Sequence, residues 1–146
     1  MSVEHQNSLQ AFDATYAALF GLLADYPAVR RNQSGACGHW SPRQVLAHLS
    51  GWIVEAERRY DNYAAGDKQP VRYDFDEFNA KSVEARVALD WDATVAKLET
   101  LYRAYSARAV GLSAEQMADE RHRNWLDALD EDCREHSEQL HSFAGV

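Results

Sequence analysis

Apolar residues recur along this chain at intervals of three and four, the period of a helix that turns one face to a core. Leu9, Phe12, Tyr16, Leu19, Phe20 and Leu23 set the first such stripe and predict a helix from about Val3 to Asp25. It should stop ahead of Pro27, because the residue before a proline is pushed out of helical geometry. The polar, glycine-containing stretch Arg30–His39 reads as a loop. Trp40-Ser41-Pro42 then announces a second helix, since serine suits an N-cap and proline the first turn, where its missing N–H costs nothing. Its inner stripe of Val45, Leu49, Trp52, Ala56 and Tyr60 runs to about Ala65, with Gly66 placed as the C′ residue and Pro70 shortly after.

The segment Gly66–Tyr73 is long enough to cross the end of a bundle instead of making a tight hairpin. Asp74 with Glu77 three residues on reads as a capping box for a third helix. That helix carries Phe78, Val83, Val87, Trp91, Val95, Leu98, Tyr102 and Tyr105 and ends near Gly111. At roughly 35 residues it is long enough that a kink or break is expected, near Leu89-Asp90-Trp91. Ser113 begins a short helical turn, and the polar run Arg121-His122-Arg123 leads into a fourth helix from about Asn124 to Phe143. There, positions 126, 129, 133, 136, 140 and 143 hold Leu, Leu, Cys, His, Leu and Phe. No strand-like alternation competes. The expected fold is a single all-α domain over residues 1–146, a four-helix bundle with a long crossover between helices two and three.

Fifteen basic against 23 acidic residues give a net charge of −8, which argues against a nucleic-acid partner because a phosphate backbone would be repelled over most of the surface. No apolar run approaches the length of a membrane span and the polar start lacks a basic n-region, so a soluble, cytoplasmic protein is expected. Cys37 and Cys133 are too few and too far apart for a zinc ribbon, and reduced thiols are the expected state.

Two polar intrusions interrupt the apolar faces. His48 falls among Val45, Leu46, Leu49, Trp52 and Ile53, and His136 lies in the stripe of the fourth helix. Asp132 precedes His136 by four residues, about 400° of helical rotation, so the two side chains share a face one turn apart. A buried carboxylate costs several kcal/mol unless it is paired. A divalent metal held by His48, Asp132 and His136 would satisfy all three groups, and imidazole with carboxylate suits zinc, nickel or iron(II). Three protein ligands leave coordination positions open, as in catalytic sites. The plain alternative makes His48 and His136 packed histidines and Asp132 a solvated or arginine-paired carboxylate, with Arg134, Arg121 and Arg123 within reach in sequence.

The segment His39-Trp40-Ser41-Pro42-Arg43-Gln44-Val45-Leu46-Ala47-His48-Leu49-Ser50-Gly51-Trp52 resembles the second-helix signature of the DinB-like superfamily, in particular its branch of maleylpyruvate-isomerase-type and DfsB-like proteins. Phe78-Asn79-Ala80 and Asp132-Cys133-Arg134-Glu135-His136 are similar to what that branch carries in helices three and four. The resemblance implies a four-helix bundle with a crossover between helices two and three. It also implies a metal, zinc or nickel foremost, held by one histidine of helix two and an i, i+4 pair of helix four, which fall on His48, Asp132 and His136. Those families carry His or Glu at the first place of the pair; this chain has Asp132, and it has Leu140 where some DfsB-like relatives have a further histidine. The implied activity is metal-dependent transfer or isomerisation of a small electrophile, with a low-molecular-weight thiol as cofactor. The competing readings are a metal-free small-molecule-binding or stress-response protein, its cavity lined by Trp52, Trp91, Tyr102 and Trp125, and a DfsB-like detoxifying hydrolase.

Among the remaining residues, Cys37-Gly38-His39 is a weak candidate for a thiol beside a base, and Cys133 reads as a small core residue. Tyr60, Tyr63, Tyr102 and Tyr105 read as packing or rim residues, and Arg30-Arg31, Glu55, Glu57 and Arg58-Arg59 as solvated faces. The apolar positions on more than one face of the third helix favour a homodimer.

Overall fold

The computed structural model describes residues 2–145, which form six helices and no strand. Four are long: α1 (Val3–Leu23), α2 (Pro42–Ala64), α4 (Trp91–Val110) and α6 (Glu120–Ala144); α3 (Phe75–Ala85) and α5 (Ala114–Ala118) are short. None of them is long and apolar enough to cross a membrane. The expected all-α bundle is present, and the long third helix is broken where its sequence suggested. Asp90 acts as an N-cap, its carboxylate accepting from the Ala93 N–H at 2.8 Å, so the chain restarts as α4 instead of continuing α3. The fourth long helix starts at Glu120, four residues earlier than the expected Asn124, because the Asp119 side chain caps it and draws the polar run Arg121–Arg123 into the first turn.

Side-chain contacts set the directions. Arg43 reaches the Leu89 carbonyl beside the start of α4 and Tyr60 meets Tyr105 toward its end, so α2 and α4 run parallel, while His48 meets Asp132 and Trp125 meets Tyr63, so α2 and α6 run antiparallel. The chain returns from the end of α2 to the start of α4 along α3, which packs antiparallel on α2. Helix α1 lies between α4 and α6, diagonal to α2. Both apolar faces of α4 are thereby used within the chain, Tyr105 reaching Tyr60 on one side and Tyr102 stacking on Tyr16 on the other. The apolar positions on α4 thus meet α1 and α2, whereas Val87, ahead of α4, is 64% exposed.

The core is dominated by aromatic rings: Phe12, Tyr16, Tyr60 and Tyr105 are essentially inaccessible, with Leu46, Leu49, Ile53, Leu98, Leu126 and Leu140 between them. Helix α3 approaches α2 so closely that a Cβ on Gly51 would fall 2.3 Å from Ser82 Oγ. Only glycine permits that approach, and it fixes the distance of α3, and hence of Asn79, from α2.

Candidate metal centre

Helix α2 presents His48 from its second turn. Ser41 accepts from the Gln44 N–H while the Gln44 side chain returns to the Ser41 N–H, a reciprocal cap that anchors the helix start with Pro42 in the first turn. The His48 ring is buried, packed on Trp40 at 5.0 Å and edge-on to His136 at 4.9 Å between centroids. On α6, Asp132 and His136 face it. The His48 Nε2 lies 3.1 Å from Asp132 Oδ2 and the His136 Nε2 3.2 Å from Asp132 Oδ1, so each carboxylate oxygen takes one imidazole. One donor atom from each of the three residues falls within 4.8 Å of the others. The short arm of aspartate still reaches both imidazoles.

Their neighbours settle one tautomer. Asn79 Oδ1 lies 2.8 Å from the Trp52 indole N–H, a group that only donates, so the Asn79 atom is an acceptor. His48 Nδ1 sits 3.0 Å from the same oxygen and must carry the proton of that hydrogen bond. A neutral His48 then offers Asp132 a bare Nε2 lone pair, and two lone pairs at 3.1 Å repel. The contact becomes attractive only with positive charge between the atoms, either a proton that makes His48 an imidazolium or a metal ion. His136 is oriented in the same sense by Gln139, whose Oε1 lies 2.7 Å from its Nδ1.

The donor set fits an ion. A tetrahedral zinc with bonds of about 2.0–2.1 Å separates its ligand atoms by about 3.3 Å, close to both N···O distances here. The outer hydrogen bonds from both Nδ1 atoms to amide oxygens are the usual support of histidine ligands. Burial would raise the Asp132 carboxyl pKa, yet hydrogen bonds from His136 and His48 and their charges hold it far below the carboxylate range. Burial works against a charged His136 as well, but the Asp132 hydrogen bond and charge outweigh it and raise the imidazole above its ordinary value. None of Arg134, Arg121 and Arg123 pairs with Asp132: they go to Asp130, Asp119 and Glu4. The arginine-paired alternative is excluded.

Asp132 is also the least buried of the three, with 31% of its side chain exposed, and it opens on a cavity of about 590 Å³ between α2 and α6. Trp52, Tyr73, Phe75, Trp125 and Leu129 line its apolar middle, with Arg59, Lys68 and Arg121 among the other lining residues. Of the four residues expected around a cavity, Trp52 and Trp125 are there; Trp91 instead stacks on Tyr26 at 5.4 Å and Tyr102 packs on Phe12 and Tyr16. Tyr63 lines the cavity, whereas Tyr60 and Tyr105 are core.

Neither cysteine is an activated nucleophile. Cys133 is fully buried as expected of a stripe position, and burial pushes its thiol up to about 12. Burial raises Cys37 too, while His39 is exposed. Two residues read as solvated are not: Glu55 is buried, its carboxylate held by Arg58 and Tyr73, and Arg59 is buried against Tyr63. Asn79 and Gln139 carry no sequence signal of their roles, because a partner of a ligand is defined only by the tertiary fold. No family model, curated protein or solved structure matches this chain.

Proposed function

We propose that the protein is a metal-dependent enzyme of the DinB-like superfamily that holds a divalent ion, zinc or nickel foremost, on His48, Asp132 and His136 and acts on a small electrophile in the adjoining cavity. The observation that carries the reading is the proton count at His48: Asn79 fixes Nδ1–H, so Nε2 faces Asp132 as a lone pair and the site calls for a cation. The resemblance of Trp40–Trp52 to the family's second helix supports it, as does the crossover carried by α3 between the parallel helices α2 and α4.

When bound, a divalent ion with open positions lowers the pKa of a coordinated thiol or water and so supplies a nucleophile at neutral pH. The chain's own residues do the rest. Asn79 and Gln139 hold both imidazoles with Nε2 toward the site. Asp132 contributes the anionic donor, and its exposed edge keeps the site open toward the cavity. Trp52, Trp125 and Leu129 give the cavity an apolar wall for the body of the substrate. A cytoplasmic low-molecular-weight thiol is the nucleophile that the family resemblance favours.

A second reading draws on the same contacts. With His48 as imidazolium, the two histidines and Asp132 satisfy one another without metal and form a proton relay at the cavity mouth, suited to hydrolysis. Metal content separates the two. Protein purified without chelator or affinity tag and loaded with zinc or nickel should hold one equivalent by mass spectrometry, and His48→Ala and Asp132→Ala should lose it. Wild type that stays empty after loading contradicts the metal reading.

A further inference from the structure

The cavity has a second polar end. His48 and Arg59 are eleven residues apart on α2, three turns and about 16 Å of axis, so both point from the same face. Asp132 and Arg121 are also eleven residues apart on α6, which runs antiparallel, so one end of the slot holds His48 and Asp132 and the other Arg59 and Arg121. In a chain of net charge −8, the charged residues lining this cavity are Arg59, Lys68 and Arg121 against Asp132 alone.

Arg59 is the distinctive member. It is 4% exposed, yet no carboxylate lies within ion-pair distance of it among the described residues. Its Nη2 donates to the Gln69 carbonyl at 2.6 Å and its guanidinium lies 5.2 Å from the Tyr63 ring centre. Glu55, one turn earlier on its face, feels the Arg59 charge but gives its hydrogen bonds to Arg58 and Tyr73. Lys68 and Arg121, by contrast, share Asp119. A buried guanidinium offers five N–H donors in a planar fork, and leaving it without a hydrogen-bonded anion is costly. Here it borders a cavity whose middle is apolar.

We infer that this cavity binds an amphipathic carboxylate, with Arg59 taking the anionic head and the apolar body lying between Trp52 and Trp125, its far end directed at His48 and Asp132. The placement of the far end rests on the metal-centre reading; the recognition of the head by Arg59 does not. A volume of about 590 Å³ suits a ligand of small-molecule size, and the bidentate geometry of guanidinium with carboxylate supplies selectivity over the matching alcohol.

The test is binding of octanoate, octanol and octylammonium, followed by calorimetry and by tryptophan fluorescence from Trp52 and Trp125, in wild type, Arg59→Gln, Arg59→Lys and His48→Ala, each with and without zinc. Wild type should prefer octanoate to octanol and reject octylammonium. Arg59→Gln should lose at least tenfold in octanoate affinity while octanol affinity holds. Arg59→Lys should fall between the two; should the glutamine variant not fold, a lysine variant with the wild-type octanoate preference overturns the proposal. An octanoate preference that survives in His48→Ala and disappears in Arg59→Gln supports the proposal whether or not zinc binds. A preference that disappears in His48→Ala and survives in Arg59→Gln assigns the carboxylate to the metal end and overturns it, leaving the metal centre intact. Folded wild type that binds octanoate no better than octanol overturns it as well.

Discussion

Asn79 ties the fold to the site, and Asn79→Leu isolates what it does. Its Oδ1 accepts two hydrogen bonds, from His48 Nδ1–H at 3.0 Å and from the Trp52 indole at 2.8 Å, and both donors belong to buried residues. Leucine fills a similar volume and strands both donors, each at about 1–3 kcal/mol. Because Asn79 borders the cavity, water reaches part of the gap, so the low end applies: a loss of about 2–3 kcal/mol, which in a domain of this size lowers Tm by on the order of 5–10 °C. The metal-free protein shows this in urea or thermal unfolding. Zinc affinity, read by competition with a chromophoric chelator, should fall tenfold to a hundredfold, because His48 is then free to place its proton on Nε2. Trp52→Phe is the control: it removes one donor together with the bond, should cost about 1 kcal/mol, and should leave zinc affinity near wild type. A folded Asn79→Leu protein whose zinc affinity stays within twofold of wild type refutes the tautomer argument. So does a Trp52→Phe protein that loses as much zinc affinity as Asn79→Leu.

Further consequences follow from packing and charge. Gly51→Ala would put a Cβ 2.3 Å from Ser82 Oγ and 2.5 Å from Ser82 Cβ, so urea unfolding should show a loss of about 1–3 kcal/mol or more, restored in part by Ser82→Gly; a neutral Gly51→Ala would contradict the close approach of α3. In metal-free protein, Asp132 is depressed, so its contribution is present above the ordinary carboxyl value of about 3.9 and is lost as pH falls through the lower folded value. His136 is raised, so its contribution is complete below about 6.5 and is lost as pH rises through the higher folded value. Zinc needs neutral imidazoles, so its stabilising effect on Tm should grow between about pH 6 and 8 while the metal-free protein weakens; a zinc effect that is flat over that range argues against histidine ligation. Native alkylation followed by peptide mapping should label half-buried Cys37 and spare buried Cys133; rapid labelling of Cys133 would mean that the α6 stripe is not packed as described.

The helices were legible because the apolar stripes of α1 and α6 are buried where their period places them, Leu9, Phe12, Tyr16, Leu19 and Leu23 on the one and Leu126, Leu129, Cys133, His136 and Leu140 on the other; the third stripe departs from this at Val87, which lies exposed in the break between α3 and α4. Helix α3 stops at Ala85 and Asp90 caps the restart as α4, and the break near Leu89-Asp90-Trp91 was legible from the length of the stripe. The early start of α6 was not, since its first turn carries charge instead of a stripe, although Asp119 was a readable cap. Spacing alone paired only Asp132 with His136; that His48 joins them was suggested by its place in the apolar stripe of α2 and by the family resemblance. Arg59 and Glu55 misled, because a helix packed against α3, α4 and α6 buries more than one stripe and a charged residue beside the main one looks solvated in sequence. His5 and His122 were passed over for a different reason, a polar side chain at the end of an apolar stripe. Both are buried, His5 through a 3.0 Å contact from its Nε2 to the Ala109 carbonyl that links α1 to the end of α4, although each sits four residues ahead of Leu9 or Leu126 and so extends the apolar stripe of its helix by one turn.

The metal centre is tested most directly by crystals of zinc-loaded protein measured at the zinc absorption edge. The account predicts one anomalous peak between α2 and α6, about 2.0–2.2 Å from Nε2 of His48, Nε2 of His136 and an oxygen of Asp132, with open positions toward the cavity. Crystals that carry no anomalous signal there, with Asp132 still hydrogen-bonded to both imidazoles, would contradict it.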